Sequence, residues 1–324
     1  MADRATAITD FLAGSPWENW TQTPLAGDAS ARRYLRLSSG LQSTILMDAP
    51  PENGEDTGPF VAIANLLTQH GLAAPDILLH DPLHGLLLLG DLGSTDFAKW
   101  LRGKPSDEMA LYQAAADVLL KLEGVEAPDH LKRLTPEVGA EMVNILGPYY
   151  SRGSTTDLCA AVENALAQFA PDANTLALRD FHAENLIWRA AQKGTDRVGL
   201  LDFQDAFVAP GGYDFVSLLR DARRDVSPQV ADDLISYFAK RSRMKNPVRT
   251  SLACLGVQRN LRILGVFARL AKELGKPRYL DFMPRVWGHI LTDLQDPALS
   301  NLREAVLDTV PAPSPGWGLA RYLT

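Results

Sequence analysis

Apolar and polar positions alternate in short segments up to about residue 90, a pattern typical of β-strands. The segments Arg33–Leu37 and Thr44–Met47 flank a Ser-Ser-Gly turn, which predicts a hairpin. The sequences "DILLH" and "GLLLLGDLG" predict two further strands around the turn "DPLH". Before them, apolar residues recur at helical spacing from Phe60 to Leu67, and Gly71 ends that helix. We therefore expect an antiparallel sheet with one helix.

After the sequence "GDLG" the pattern changes to apolar residues three and four positions apart, which predicts helices. Ser106 is a candidate cap for one helix, and Ser227, which precedes a proline, begins another. Leu252–Leu274 predicts a long helix with a broad apolar face. Two short strands, Leu186–Arg189 and Val198–Leu201, interrupt this helical region. The sequence therefore predicts an α+β fold with a small β-rich lobe followed by a larger helical lobe.

Polar side chains lie close to the two short strands of the helical region. If Arg189 pairs with Val198 in an antiparallel hairpin, Asn185 lies opposite Asp202 at the open end, and Asp180 lies just upstream. Two carboxylates and an amide then come together, and such oxygen donors suit Mg²⁺, which uses few protein ligands and accepts others from phosphates.

The spacing of these residues matches the catalytic loop of protein kinases. Asp180 is followed five positions later by Asn185, and the second strand ends in Asp202 and Phe203. The Asp-x-x-x-x-Asn pattern alone is common, but its place before a strand–turn–strand that ends in Asp-Phe is specific. The pattern indicates phosphoryl transfer rather than an ordinary polar loop.

Composition limits the partners that we expect. The formal net charge is -7 with a pI near 5.4, which argues against a nucleic-acid partner. No apolar run approaches the ~18 residues of a membrane span, and the N-terminal residues lack the apolar segment of a signal peptide. The two cysteines form no Cys-x-x-Cys motif. We expect a cytoplasmic protein without a nucleic-acid or membrane partner; its oligomeric state is not indicated.

Four motifs carry a family resemblance: "LRDFHAENLIW", "GLLDFQDAFVAPGGYDFVSLLRDAR", "AGDASARRYLRL" and "ILMDAPPE". They resemble the aminoglycoside-phosphotransferase-like branch of the protein-kinase fold, and within it most of all the bacterial N-acetylmuramate/N-acetylglucosamine anomeric kinases. The resemblance implies a bilobal protein-kinase-like fold. Residues 1–91 would form a nucleotide-binding lobe, and residues 92–324 a helical lobe with the catalytic loop and the acceptor site.

The resemblance also implies roles for individual residues. Asp180 corresponds to the catalytic base that orients and deprotonates the acceptor hydroxyl, and Asn185 and Asp202 correspond to the Mg²⁺-binding positions. Asp214 corresponds to an acid that braces the catalytic loop from the start of a helix. The residues implied in ATP binding are Gly27, Ser30, Arg32 and Arg33 in the phosphate loop, and Leu89, Asp91 and Leu92 in the hinge.

The sequence departs from the kinase pattern at its third strand, which has no lysine for the nucleotide phosphates. Met47 lies near that position, so Arg32, Arg33 or the metal would have to hold the phosphate charge. Two further residues have open roles. His182 either contacts the acceptor or the transferred phosphate, or is satisfied by the loop backbone. Asp205 either binds a second metal or a sugar hydroxyl, or caps a turn.

The leading functional hypothesis is an ATP- and Mg²⁺-dependent kinase that phosphorylates a hydroxyl of a small molecule. The anomeric hydroxyl of N-acetylmuramate or N-acetylglucosamine is the first choice of acceptor, and aminoglycosides and choline-like alcohols are alternatives. A catalytically silent nucleotide-binding regulator is the hypothesis from another class, because the lysine is absent. The sequence alone does not identify the acceptor, since fold-level likeness does not determine function.

Overall fold

The structure is a computed structural model that describes residues 4–25, 32–151, 153–245 and 247–313. Its strands are β1 (Thr21–Pro24), β2 (Arg33–Ser39), β3 (Gln42–Asp48), β4 (Ile77–Asp81), β5 (Leu86–Gly90), β6 (Ala173–Ala177), β7 (Leu186–Trp188), β8 (Val198–Leu200) and β9 (Phe207–Pro210). Its helices are α1 (Arg4–Leu12), α2 (Gly58–Gln69), α3 (Phe97–Gly103), α4 (Glu108–Leu122), α5 (Pro136–Val143), α6 (Leu146–Tyr149), α7 (Thr156–Phe169), α8 (Tyr213–Leu219), α9 (Pro228–Ala239), α10 (Val248–Glu273), α11 (Met283–Asp293) and α12 (Ser300–Thr309).

Packing divides the chain into two compact units. The sheet unit comprises Met1–Phe97 and Asn185–Asp205, and the helical unit comprises Ala98–Glu184 and Ala206–Thr324. The mixture of a small N-terminal antiparallel sheet with a helical C-terminal part confirms the predicted α+β class. Within the described residues, no helix has the length and apolar character needed to cross a membrane.

The sheet unit contains an antiparallel sheet with the strand order β1-β2-β3-β5-β4. β2 pairs with β3 from Arg33 opposite Asp48 to Ser39 opposite Gln42, and Gly40 turns the chain with a φ of 59°. This pairing confirms the predicted hairpin, and β4, β5 and α2 confirm the other two strands and the helix of this region.

Alternating apolar residues of the sheet make its core. The fully buried members are Leu12 of α1, Leu37 of β2, Leu46 of β3 and Leu88 of β5. Partly buried residues packed against them are Ile8, Phe11, Trp17, Trp20, Leu35 and Leu79. Each buried leucine stabilises the unit by roughly 1.5–3 kcal/mol. The face of the sheet that carries these leucines is therefore covered by α1 and the turn after it.

The hairpin of β7 and β8 has a register one residue away from the predicted one. Trp188, not Arg189, lies opposite Val198, and Leu186 lies opposite Leu200. The reason is a tighter connection, in which the Arg189 N–H donates to the Arg197 carbonyl across a short 3-10 turn. Asp202 therefore lies one position beyond the residue that faces Asn185.

The same hairpin belongs to the sheet unit, although it comes far later in the chain. The Leu200 N–H donates to the Ala73 carbonyl at 2.8 Å, and the Trp188 N–H donates to the Thr95 carbonyl at 2.9 Å. Trp188 also meets Phe97 edge to face. This grouping differs from the predicted division into residues 1–91 and 92–324, because long-range backbone hydrogen bonds bind the hairpin to the N-terminal part.

A single long helix, α10, lies at the centre of the helical unit. It packs against α5, α6, α7, α8, α9 and α11, and Leu255, Leu261 and Leu264 are fully buried in it. It begins four residues earlier than the predicted helix and ends one residue earlier. Beside it, β6 pairs with β9 and leads into the loop that carries Asp180.

Candidate active site

The loop after β6 is held by the buried carboxylate of Asp214. Its Oδ2 accepts the Leu178 N–H at 2.5 Å, and its Oδ1 accepts the Arg179 N–H at 3.0 Å. Burial raises the pKa of Asp214 to about 7, although both backbone donors lower it. The two bonds confirm that Asp214 braces this loop from the start of α8.

Those bonds hold the backbone in a conformation that residues other than glycine seldom adopt. Arg179 has a φ of 75°, and the Asp180 N–H donates to the Leu178 carbonyl at 3.0 Å, as in a γ-turn. A residue in this region costs about 1–3 kcal/mol, which the surrounding structure must offset. The turn fixes the direction in which the half-buried Asp180 leaves the backbone.

His182 is buried and uncharged in the loop. The Arg223 guanidinium donates to its Nε2 at 3.2 Å, so the ring proton is on Nδ1. Burial, together with the charges of Arg223 and Arg259, holds the pKa of His182 well below its ordinary value. Asp221 secures the same stretch by accepting the N–H groups of Ala183 at 3.4 Å and Arg223 at 2.8 Å. The imidazole is therefore a neutral group, and its predicted contact with the acceptor or the phosphate stays a prediction.

Asn185 and Asp202 meet at the open end of the β7–β8 hairpin. The Asn185 Nδ2 donates to Asp202 Oδ2 at 3.4 Å, and the Gln204 Nε2 donates to Asp202 Oδ1 at 2.8 Å. Asp202 is exposed and has a φ of 57°, while the next residue, Phe203, is buried and stacks on Phe60 with ring centroids 4.9 Å apart. The buried phenylalanine anchors this corner and leaves the carboxylate accessible.

The donor set at this corner fits one divalent cation that carries other ligands. It offers the Asn185 amide oxygen and the Asp202 carboxylate, both hard oxygen donors of the kind that Mg²⁺ prefers. Across the described residues, no group of three or more His, Cys, Asp or Glu side chains could hold a metal. A metal at this corner would therefore take most of its ligands from water and phosphate.

The predicted nucleotide-binding residues have different surroundings. Gly27 and Ser30 lie outside the described residues. Arg32 donates to Glu55 at 2.6 Å. Arg33 donates to Asp48, which is buried and also pairs with Arg4. The two arginines are thus held by different carboxylates.

The predicted hinge is held at Asp91. Burial favours its neutral form, but hydrogen bonds from Ser43, the Gly93 N–H and Arg36 hold the pKa of Asp91 below its ordinary value. Leu89 is buried and Leu92 is half-buried. The Asp91 carboxylate is engaged within the protein, and the Gly90 N–H donates to the Asp76 carbonyl at 2.8 Å, so adenine binding by the hinge stays a prediction. Asp205 is exposed at the end of the sheet unit.

The sequence did not identify several residues that lie near Asp180, Asp202 and Arg32. Tyr34 has its pKa raised by burial and by the charges of Asp202 and Glu55, while Arg32 lowers it, so it lies among all three. Arg259 and Arg262 of α10 lie near Tyr213 and Asp180. The available signal was the polar sequence "QRN" within the long apolar helix.

The chain is similar to known phosphotransferases over most of its length. A model of the phosphotransferase enzyme family (APH) matches residues 21–247. An N-acetylmuramate/N-acetylglucosamine kinase of Caulobacter vibrioides is 36% identical over 93% of this chain and 95% of its own. A kinase of the same name from Pseudomonas aeruginosa is 32% identical over 89% of this chain and 90% of its own.

A solved structure shows the same fold at much lower identity. The choline/ethanolamine kinase family protein of Mesorhizobium loti is 15% identical, with a TM-score of 0.64 over 94% of this chain and 99% of its own. That identity supports the fold alone, whereas the family model and the curated relatives support membership. The chain therefore belongs to the phosphotransferase enzyme family.

Proposed function

We propose that this phosphotransferase is an ATP-dependent kinase that acts on the anomeric hydroxyl of N-acetylmuramate and N-acetylglucosamine. The observation that carries the proposal is the braced loop, in which Asp214 fixes the turn before Asp180. The relatives from Caulobacter and Pseudomonas, which carry these two sugars in their names, support the choice of acceptor. A kinase that uses the cellular ATP pool would work in the cytoplasm, and cell fractionation tests that location.

The proposed reaction is a single displacement at the γ-phosphorus of ATP. The anomeric oxygen forms a bond to that phosphorus, the bond to the β,γ-bridging oxygen breaks, and ADP leaves with the electron pair. The hydroxyl proton passes to the Asp180 carboxylate. Because the transition state is loose, positioning matters more than the strength of the base. The fixed turn at Arg179 provides such positioning.

Mg²⁺ and the nucleotide would be held by residues of the sheet unit. Asn185 and Asp202 would hold the metal, which when bound neutralises charge on the phosphates. Gln204 restrains Asp202 by its 2.8 Å hydrogen bond. Backbone groups of Leu89–Leu92 would form hydrogen bonds with adenine. Arg32 would contact the phosphates, together with Gly27 and Ser30.

An acceptor panel tests the function. We expect ADP release with free N-acetylglucosamine and N-acetylmuramate, and none with 1-O-methyl N-acetylglucosamine, because the reacting hydroxyl is blocked. Equal turnover of the free and the methylated sugar would exclude the anomeric position. If only aminoglycosides or choline were phosphorylated, the proposed sugar acceptor would be wrong and those compounds would take its place. ATP binding without turnover on any acceptor would favour a silent regulator.

A substitution tests the proposed base. Asp180→Asn should reduce kcat by about 100- to 10,000-fold, because the amide cannot accept the proton. Asp196→Asn is the matched control, because Asp196 is exposed in the connection of the β7–β8 hairpin. Retained activity in Asp180→Asn would remove Asp180 from the proposed mechanism.

A further inference from the structure

Two arginines lie three residues apart on the central helix of the helical unit. Arg259 is 6% exposed and Arg262 is half-buried. Residues at this spacing share a helix face, where like charges repel. Burying such a pair is unfavourable unless anions compensate it. The pair is therefore a feature that packing alone does not explain.

Arg259 is linked to the loop that carries the proposed base. Its Nη2 donates to the Ser217 hydroxyl at 2.7 Å, and that hydroxyl donates to the Arg179 carbonyl at 3.5 Å. Its Nη1 is buried and has no hydrogen-bond partner among the described residues. One prong of the guanidinium is thus anchored while the other stays unsatisfied by the protein.

Arg262 forms neither an ion pair nor a hydrogen bond with the residues that the structure describes. The charges that act on it come from Asp180, Arg179 and Arg259, with Tyr213 beside them. Burial lowers the pKa of Arg262, which reflects the cost of keeping this cation from water. A partly buried cation without a hydrogen-bonded anion, next to a second, buried arginine, marks a binding site for a ligand of the opposite charge.

We propose that Arg262, supported by Arg259, binds the lactyl carboxylate of N-acetylmuramate. The proposal rests on the proposed function, because Asp180 would receive the proton of the sugar hydroxyl and Arg262 lies near Asp180. A guanidinium holds a carboxylate through two parallel hydrogen bonds. Arg32 and the metal are the cations proposed for the phosphates, so the acceptor carboxylate would otherwise lack a partner. N-acetylglucosamine has no carboxylate.

The ratio of kcat/KM for the two sugars tests this assignment. In Arg262→Gln, the ratio of N-acetylmuramate to N-acetylglucosamine should fall on the order of 10- to 100-fold, the value of a hydrogen bond to a charged group. Arg262→Lys should restore part of the ratio, because lysine keeps the charge but cannot form the two parallel hydrogen bonds of a guanidinium. Arg269→Gln is the control, since Arg269 lies on the same helix but is exposed.

A second measurement uses only the wild-type protein. The methyl ester of the lactyl group removes the negative charge from the acceptor, so its kcat/KM should fall on the order of 10- to 100-fold relative to the free acid. This measurement tests the recognition of the carboxylate even where Arg262→Gln does not fold.

The outcomes separate this inference from the proposed function. Equal losses on both sugars in Arg262→Gln would assign the arginine to the phosphoryl group or to structure, and would overturn the carboxylate site. An unchanged ratio, or an ester as good as the free acid, would also overturn it while leaving the kinase function intact. A wild-type protein that phosphorylates neither sugar would overturn both proposals.

Discussion

Arg32 has the surroundings of a residue that can replace the lysine missing from the third strand. Its Nε lies 2.6 Å from Glu55, and the two side chains are only 13% and 15% exposed. Tyr34 lies beside them and near Asp202. Arg33, by contrast, is 62% exposed and pairs with Asp48. A partly buried ion pair holds Arg32 in place, as a glutamate holds the lysine in protein kinases.

The two arginines therefore give a matched pair of variants. Arg32→Gln should raise the KM for ATP on the order of 10- to 100-fold, because it removes a charged hydrogen bond, while the KM for the sugar stays nearly constant. Arg33→Gln should change the KM for ATP by about fivefold or less, because the exposed Arg33 side chain is already held by Asp48. Steady-state kinetics with each substrate varied in turn measures both. Equal effects of the two substitutions would contradict the role of Arg32.

At the scale of elements, α10 depends on a close approach to the residue before α6. A Cβ added at Gly265 would lie 2.5 Å from Ile145 Cγ2 and 3.1 Å from its carbonyl carbon. A Cβ added at Gly288 of α11 would meet nothing within 4 Å. One glycine is thus required by packing, and the other only lowers helix propensity.

Alanine at these two positions should change stability in opposite directions. Gly265→Ala should lower the free energy of unfolding by about 1–3 kcal/mol, because the backbone of Ile145 cannot move away without strain. Gly288→Ala should raise it by about 0.5–1 kcal/mol, because alanine loses less conformational entropy in a helix. Chemical denaturation of both variants measures the difference. If Gly288→Ala also lowered the free energy of unfolding, helix propensity and local packing would not explain the stability at these two positions.

Local patterns predicted about half of the described helices and strands, and tertiary packing decided features that these patterns could not predict. Alternation and turn chemistry located the β2–β3 hairpin and α2, because both signals lie within a few residues. The predicted register of β7 and β8 was wrong by one residue, because the register depends on the turn at Gly194–Arg197. No local signal revealed that this hairpin would bond to Ala73 and Thr95.

The candidate site divides in the same way. Asp180, Asn185 and Asp202 were visible because their spacing in the sequence is part of the motif. Arg262 resembled one more charge on a long helix, because its burial depends on the helices around α10. Glu55 lies in an acidic loop with no sign that it would hold Arg32. Residues whose roles depend on contacts distant in the sequence therefore could not be identified from the sequence.

For the whole molecule, the discontinuous sheet unit has a consequence for folding. In the sequence, helices α4 to α7 and strand β6 lie between its N-terminal part and its hairpin. The two parts nevertheless share backbone hydrogen bonds. Contacts of such long sequence separation form slowly, because the intervening chain must first be ordered. The sheet unit is thus completed only after residue 200 is available.

The helical unit buries ionisable groups that respond oppositely to pH. Burial raises the pKa of Asp214, Asp221 and Asp293, so their protonated forms favour the folded state at low pH and this contribution is lost as pH rises. Burial lowers the pKa of His182 and His289. The histidines favour the folded state above pH ~6.5, and that contribution is lost as pH falls.

His289 allows the histidine contribution to be measured. Its pKa is lowered to about 4 by burial and by the charges of Arg220 and Arg285, although Asp225 and a hydrogen bond to the Asp221 carbonyl oppose the shift. Between pH 7 and pH 4 the wild type should therefore lose on the order of 3 kcal/mol more unfolding free energy than His289→Gln, whose amide can still donate to that carbonyl.

Urea unfolding at several pH values measures this difference. His130→Gln is the control, because His130 is exposed, and its pH profile should follow the wild type. Parallel profiles for the wild type and His289→Gln would mean that His289 takes up a proton in the folded state as readily as in the unfolded chain. A difference that grows steadily below pH 6.5 would instead identify burial of this neutral imidazole as a source of acid sensitivity in the whole molecule.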